Sequence, residues 1–257
     1  MRQSSQTLSR GLKLLALIAD NREGVAVREL AAGMSLPKSI VQRLLYSLED
    51  EGYLERHPSQ IGHQLTMKLW SLGCTAVRRL DVQRVARPVL EELALKSGET
   101  TKISVLDGDD VVFVDSINGS QIVRAFLPLG GRAPAHSVAT GKAILAILPE
   151  GLGLKTAAIL RESAAKRALL AREFEQIRKR GYAINRGEWE DDVAALAAPI
   201  FDAQGAAVAS VGIILPHNRL TGATTALFSS LVTRAAKEIS VRLGYVVPST
   251  SRLKRAS

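Results

Sequence analysis

Residues 35–48, Ser-Leu-Pro-Lys-Ser-Ile-Val-Gln-Arg-Leu-Leu-Tyr-Ser-Leu, constrain this chain more than any other stretch. Pro37 suits the first turn of a helix, where its missing N–H costs nothing. Ile40, Leu44, Leu45 and Leu48 recur at helical spacing and make one apolar face. Lys38, Ser39, Gln42 and Arg43 fall on the other side, crowded toward the N-terminal end. A helix that enters a major groove needs that layout, with cations and amides at the end that meets the bases and leucines at the end that packs on the domain. An ordinary surface helix can carry the same face, so the flanks decide.

Upstream, Val27-Arg-Glu-Leu-Ala-Ala-Gly-Met34 predicts a short amphipathic helix closed by Gly33, since glycine readily takes the left-handed conformation that ends a helix. Only Met34 to Leu36 separate it from the Pro37 helix, the spacing of a helix-turn-helix. Leu8, Leu12, Leu15 and Ile18 predict a third apolar stripe before it. Downstream, Gly52 ends the second helix. Tyr53-Leu-Glu-Arg-His and Gly62-His-Gln-Leu-Thr66 then flank Pro58-Ser-Gln-Ile, which predicts a β-hairpin. Three helices and a hairpin in that order predict a winged helix, with double-stranded DNA as its partner.

A length of 257 residues leaves room for about two domains. No apolar run approaches the ~20 residues needed to span a bilayer, and Met1-Arg-Gln-Ser-Ser lacks a signal peptide's hydrophobic segment. Cys74 is the only cysteine, which excludes an intrachain disulfide and a cysteine-based zinc site. These readings predict a cytoplasmic protein with no membrane partner. The net charge of +9 favours a polyanion, and aromatic residues at 4% argue against a stacking platform for single strands.

Past the hairpin, Leu65, Leu69, Leu72 and Ala76 and then Leu80, Val82 and Val85 predict a helix from about 66 to 85. Pro88 opens a second helix that runs to 96. Trp70 and Leu69 would lack cover on an isolated helix, and dimer packing is the simplest use for them. From Gly98 the period shortens. Residues 101–106 and 111–115 predict a hairpin around an Asp107-Gly108 turn, and residues 122–126 a third strand. Helices follow over 139–148, 152–160 and 164–180, strands over 182–184, 193–200 and 208–215, and a closing helix over 221–243. Strands at both ends with helices between and after them predict an α+β domain.

Across nearly its whole length the chain also resembles the IclR-type bacterial transcriptional regulators. The matching residues are Ser9-Arg-Gly-Leu, Leu36-Pro-Lys-Ser, Arg43-Leu-Leu, Leu48-Glu-Asp-Glu-Gly-Tyr, Ala86-Arg-Pro-Val-Leu-Glu-Glu-Leu and Gly98-Glu-Thr. Further on they are His136-Ser-Val-Ala-Thr-Gly-Lys-Ala, Arg180-Gly-Tyr-Ala and Ala197-Ala-Pro-Ile. Each is weak alone; their order and spacing are specific. The resemblance implies a winged helix-turn-helix over 1–66, a linker helix over 67–87, a GAF/PAS-like effector domain over 88–247 and a basic disordered tail over 248–257.

No catalytic set stands out. Ala139-Thr-Gly-Lys-Ala hints at a phosphate loop, but His136 and Ala143 break the pattern. His136 and Ser137 are adjacent and cannot face each other as base and nucleophile. The four histidines are scattered, and Glu188, Glu190, Asp191 and Asp192 read as a solvated loop. No enzyme, cofactor or metal is expected. A ligand domain is the better reading. The start of the helix at Ala139 offers free N–H groups to a carboxylate, and in the family this segment, here Ala139, Thr140 and Gly141, donates amides to the effector. The family's small-acid sensors carry an Asp, a Cys and two Ser where this chain has Asn185, Ala195, Gly212 and Ile214. The change makes the site more apolar, so a small hydrated acid loses partners and a larger organic acid, aromatic ones included, fits better. Ile122 completes the expected lining. A second domain serving assembly alone stays open as an alternative.

The expected function is therefore ligand-controlled binding of a palindromic operator, governing a catabolic operon. Lys38, Ser39, Gln42 and Arg43 would read the major groove, Gln42 against adenine and Arg43 against guanine. Arg10, Arg28, His57, Gln60 and His63 are candidates for backbone or minor-groove contacts. A single winged helix covers few base pairs, so a dimer or dimer of dimers is expected. The alternatives are a metabolic enzyme with an appended DNA-binding domain and a ligand-independent structural DNA binder.

Overall fold

The computed structural model describes residues 5–19, 25–57, 62–78, 81–125 and 127–246. The wing turn 58–61 with Gln60, the Ala76 side chain, Phe126 of the expected third strand and the tail 248–257 lie outside the described residues. The chain divides into two compact units, residues 1–79 and 80–257.

The first unit carries α1 (Gln6–Ala19), α2 (Val27–Met34), α3 (Lys38–Asp50), β1 (Leu54–Arg56), β2 (His63–Leu65) and α4 (Met67–Arg78). Leu14, Ile18, Leu30, Val41, Leu44, Leu45 and Leu54 form its core, each burial worth roughly 1.5–3 kcal/mol. The inward stripe of α1 centres on Leu14 and Ile18, whereas Leu8 and Leu12, expected in that stripe, are 64% and 58% exposed. The α2 cap also departs from expectation. Gly33 stays helical, and Ser35 takes the left-handed conformation at φ 52°. The cause is Pro37, which disfavours helical geometry at Leu36. The helix must therefore end just before Leu36, and the N–H groups of Ser35 and Leu36 close back on the Ala32 and Ala31 carbonyls. Pro37 itself is extended and precedes α3. Gly52 ends α3 as expected, at φ 68°, and β1 pairs antiparallel with β2 to make the base of the hairpin.

The second unit carries α5 (Asp81–Ser97), β3 (Thr100–Asp107), β4 (Asp110–Ile117), β5 (Arg132–Pro134), α6 (Ala139–Leu145), α7 (Ala157–Leu160), α8 (Ala164–Arg180), β6 (Ala183–Arg186), β7 (Val193–Phe201), β8 (Ala207–Pro216) and α9 (Gly222–Arg242). The strands form one antiparallel sheet in the order β5-β4-β3-β8-β7-β6. One face packs on α5 and α9 through Ala86, Leu90, Val232 and Ile239. The other packs on α6 and α8 through Ile144, Phe174 and Ile177. Helices on both faces explain the continuous apolar runs in β7 and β8, since a strand covered on both sides has no face to give to water.

Two expectations fail here. Residues 122–125 are not a strand. The edge of β4 is already taken by residues 130–134, with Phe113 bonded to Gly130 and Gly131 and Val111 opposite Ala133. The second helix also does not open near Pro88, which sits inside α5. Pro88 is exposed, so the N–H it lacks is lost on the water side. Val82 and Ala86, assigned above to a linker, are buried in the second unit's core.

Candidate DNA interface and effector cavity

Period and capping place the cations of α3. With Val41, Leu44 and Leu45 buried, Lys38, Ser39 and Arg43 are exposed and Gln42 half-buried beside them. Neither Lys38 nor Arg43 has a carboxylate partner among the described residues. Arg28 is exposed on α2, and Arg10 half-buried on α1. The exposed side of α3 therefore offers unneutralised donors to a polyanion.

His63 does something else. Its side chain is buried, with Nε2 2.9 Å from the Glu49 carboxylate of α3. Glu49 also lies 3.7 Å from Arg56 Nε. Alternation along β2 turns His63 inward, so it ties the hairpin base to α3 and is not placed to touch DNA. His57 is half-buried at the hairpin's outer end, its N–H on the Gly62 carbonyl.

In the second unit a cavity opens between the sheet and the start of α6. Strand register builds its floor: Ala195 stands opposite Asn185 on one side and Ile214 on the other. Phe113 of β4 forms one wall, Val138, Ala139 and Thr140 another, and Leu127, the loop bearing Trp189 and Glu190, and Val193 at the start of β7 the rest. The empty volume, open mouth included, is about 360 Å³.

Five of the eight residues expected to hold an effector line this cavity: Ala139, Thr140, Asn185, Ala195 and Ile214. Gly141 and Gly212 lie behind it and set the distances. A Cβ on Gly141 would fall 2.1 Å from the Ala135 carbonyl oxygen, and one on Gly212 2.9 Å from Thr140 Cγ2. Ile122 is 95% exposed and does not line the cavity. It belongs to the stretch 122–125 that the occupied edge of β4 leaves outside the sheet.

Asn185 is buried, with its oxygen and one of its two amide N–H groups already engaged. Its amide donates to the Ser137 carbonyl, and its Oδ1 accepts from the Gly187 and Glu188 N–H groups at 3.1 and 3.4 Å. It clamps the loop before α6 to the loop after β6. Lys142, fully buried on α6, makes the second clamp. Its Nζ lies 2.7 Å from Glu188 and 2.8 Å from Glu173 of α8. Glu188, exposed as a residue of a solvated loop, is thus also ion-paired. The sequence reading missed Phe113, Leu127, Trp189, Glu190, Val193 and Lys142. Trp189 alone carried a signal, as a large aromatic among charged neighbours in Arg186-Gly-Glu-Trp-Glu-Asp-Asp.

Comparison with known proteins agrees with this geometry. The model of the IclR helix-turn-helix domain matches residues 7–58, and that of the bacterial transcriptional regulator IclR C-terminal domain matches residues 74–241. The chain is 32% identical to the transcriptional repressor IclR of Escherichia coli K12, covering 93% of this chain and 90% of that one. It is 33% identical to the HTH-type transcriptional regulator BhcR of Paracoccus denitrificans, over 91% and 86%. The Thermotoga maritima IclR structure superposes with a TM-score of 0.75 at 30% identity, over 93% of this chain and 99% of that one. An IclR homolog from Microbacterium hydrocarbonoxydans, solved with 4-hydroxybenzoate, superposes at 0.78 and 23% identity over 93% and 99%, a likeness of fold.

Proposed function

The chain belongs to the IclR family of bacterial transcriptional regulators, and from that premise we propose that it binds a palindromic operator and responds to a mainly apolar organic acid. It is a regulator and not an enzyme, as are its named relatives. The observation that carries the finer reading is the cavity on the α6 face of the sheet. Phe113, Leu127, Trp189, Ala195 and Ile214 give it an apolar lining suited to a hydrocarbon or aromatic body. The Microbacterium protein of the same fold holds such an acid, 4-hydroxybenzoate. On α3, Lys38, Gln42 and Arg43 read the major groove, and Arg10, Arg28, His57 and Gln60 set position on the backbone. The protein acts in the cytoplasm on a catabolic operon.

Met67, Trp70 and Leu72 of α4 are 72%, 56% and 51% exposed. That supports a homodimer, or a dimer of dimers, closed through α4. Trp70→Glu is expected to shift the light-scattering mass toward monomer and to weaken operator binding with it.

The effector reading is tested by titrating the full chain with aliphatic and aromatic carboxylic acids, first by thermal shift and then on the operator duplex. A ligand that binds only the folded state raises the melting temperature by mass action and changes operator affinity by linkage. If glyoxylate or pyruvate outbinds every larger acid, the apolar-acid reading is overturned.

A further inference from the structure

Lys102 is the most unusual side chain in the second unit. It lies on a central strand, β3, and is fully buried. Alternation sets the direction in which it points. Thr101 faces α5, its hydroxyl donating to the Leu90 carbonyl, so Thr100, Lys102 and Ser104 face the α6 side with the cavity. Across the ladder Lys102 stands opposite Gly212, which has no side chain, and Thr100 stands opposite the cavity residue Ile214. The ammonium touches two cavity walls. It donates to the Leu127 carbonyl and lies 4.9 Å from the centre of the Phe113 ring.

Among the described residues no carboxylate pairs with Lys102, whereas Lys142 on the facing helix has two. The Lys102 ammonium has three N–H groups and one carbonyl acceptor. On the same face the hydroxyls of Thr100, Ser104 and Ser210 are buried without a partner. Burial alone pushes the Lys102 pKa down to about 8. A buried unpaired cation is costly, by several kcal/mol, and here it lies behind the cavity lining, against Leu127 and Phe113.

We propose that Lys102 is the charge partner of the effector's carboxylate: an acid that displaces the Leu127 contact meets the ammonium, with the Thr100 hydroxyl beside it. This rests on the effector reading above and deepens it by assigning the polar end of the ligand to β3, in place of the Ala139–Gly141 amides that the sequence suggested. The hydrocarbon body then lies along Phe113, Ala195 and Ile214. The selectivity is for one negative charge that reaches past the Leu127 and Phe113 lining of an apolar slot. The charged groups nearest that slot are Glu190 at the cavity wall and the Lys142–Glu173–Glu188 cluster on α6, α8 and the loop after β6. The facing residues Thr140, Gly212 and Ser210 carry no charge.

The test is calorimetry on the full chain with benzoate, 4-hydroxybenzoate and hexanoate, each against its methyl ester. The wild type is expected to bind an acid at least tenfold more tightly than its ester, and Lys102→Met to bind the two within about twofold. Titrations at pH 7, 8 and 9 in two buffers of different ionisation enthalpy are expected to show proton uptake on acid binding that grows as the pH rises. That second reading needs no variant. No net proton uptake by the wild type overturns the proposal. So does a Lys102→Met protein with native circular dichroism that keeps the preference for acid over ester; in that case the effector reading survives. If the wild type binds none of the three acids, the effector reading fails and this inference falls with it.

Discussion

Lysine behaves oppositely in the two units. On α3 it stands in water, exposed and without a carboxylate, where its attraction for a polyanion is screened by salt. On α6 and β3 it is dry. Lys142 is held by two carboxylates and Lys102 by none. An exposed cation costs the fold almost nothing and so can be kept for a partner. A buried one must be neutralised in place or kept for a charge that arrives. DNA binding should therefore report on ionic strength, and the second unit on pH and on ligand charge.

The comparison breaks first if the buried and exposed lysines matter equally to stability. Lys142→Ala removes a fully buried side chain and leaves Glu173 and Glu188 without their cation. The two carboxylates are partly exposed and can turn toward water, so the cost is expected at about 2–4 kcal/mol rather than more. Lys38→Ala is expected to change stability by under about 0.5 kcal/mol. Urea unfolding followed by circular dichroism measures both, and equal losses would contradict the distinction.

Lys102 sharpens it through pH. Its pKa is about 8 in the folded chain against an ordinary 10.5. Below pH 8 both states carry the proton and the burial cost is present in full. Between pH 8 and 10.5 the unfolded chain holds more protons, so stability rises with pH across that window. The rise attributable to this one group is on the order of 2–3 kcal/mol. The stability of the wild type relative to Lys102→Met should therefore improve between pH 7 and pH 10. A difference that stays constant would mean that the ammonium is not desolvated.

The two sites were not equally legible in the sequence. The α3 face is local. Lys38, Ser39, Gln42 and Arg43 lie within two helical turns, and the 3.6-residue period fixes which side they occupy. The cavity is assembled from β4, β6, β7, β8, α6 and two loops, and only strand order brings Phe113 to the face that carries Ala195 and Ile214. The family resemblance supplied five lining residues but not Trp189 or Phe113. Lys102 had a readable sign, a cation in the run Thr100-Thr-Lys-Ile-Ser-Val-Leu106. Its burial was not readable, because alternation alone does not reveal that helices cover both faces. His63 failed for the mirror-image reason: a histidine beside a turn reads as exposed, and only the pairing of β2 turns it toward Glu49.

Within the DNA-binding unit, Arg43 separates specificity from attraction. It is exposed on the face of α3 that also carries Ser39 and Gln42. If it grips a guanine edge, Arg43→Ala costs about 1–3 kcal/mol on the operator and much less on a scrambled duplex in the same salt. Equal losses on both duplexes would make it a phosphate contact.

The smallest expected effect is a slope. Each exposed cation that neutralises a phosphate releases counterions, so the logarithm of operator affinity falls linearly with the logarithm of salt concentration. Lys38→Ala should reduce that slope by about 1, weakening operator and scrambled duplex alike if Lys38 meets a phosphate. Over the same salt range the affinity of the second unit for benzoate should change by less than about twofold, because mobile ions do not enter a dry slot to screen Lys102. A benzoate affinity that falls as steeply with salt as the DNA affinity would place the carboxylate at an exposed cation and move the effector's polar end out of the cavity.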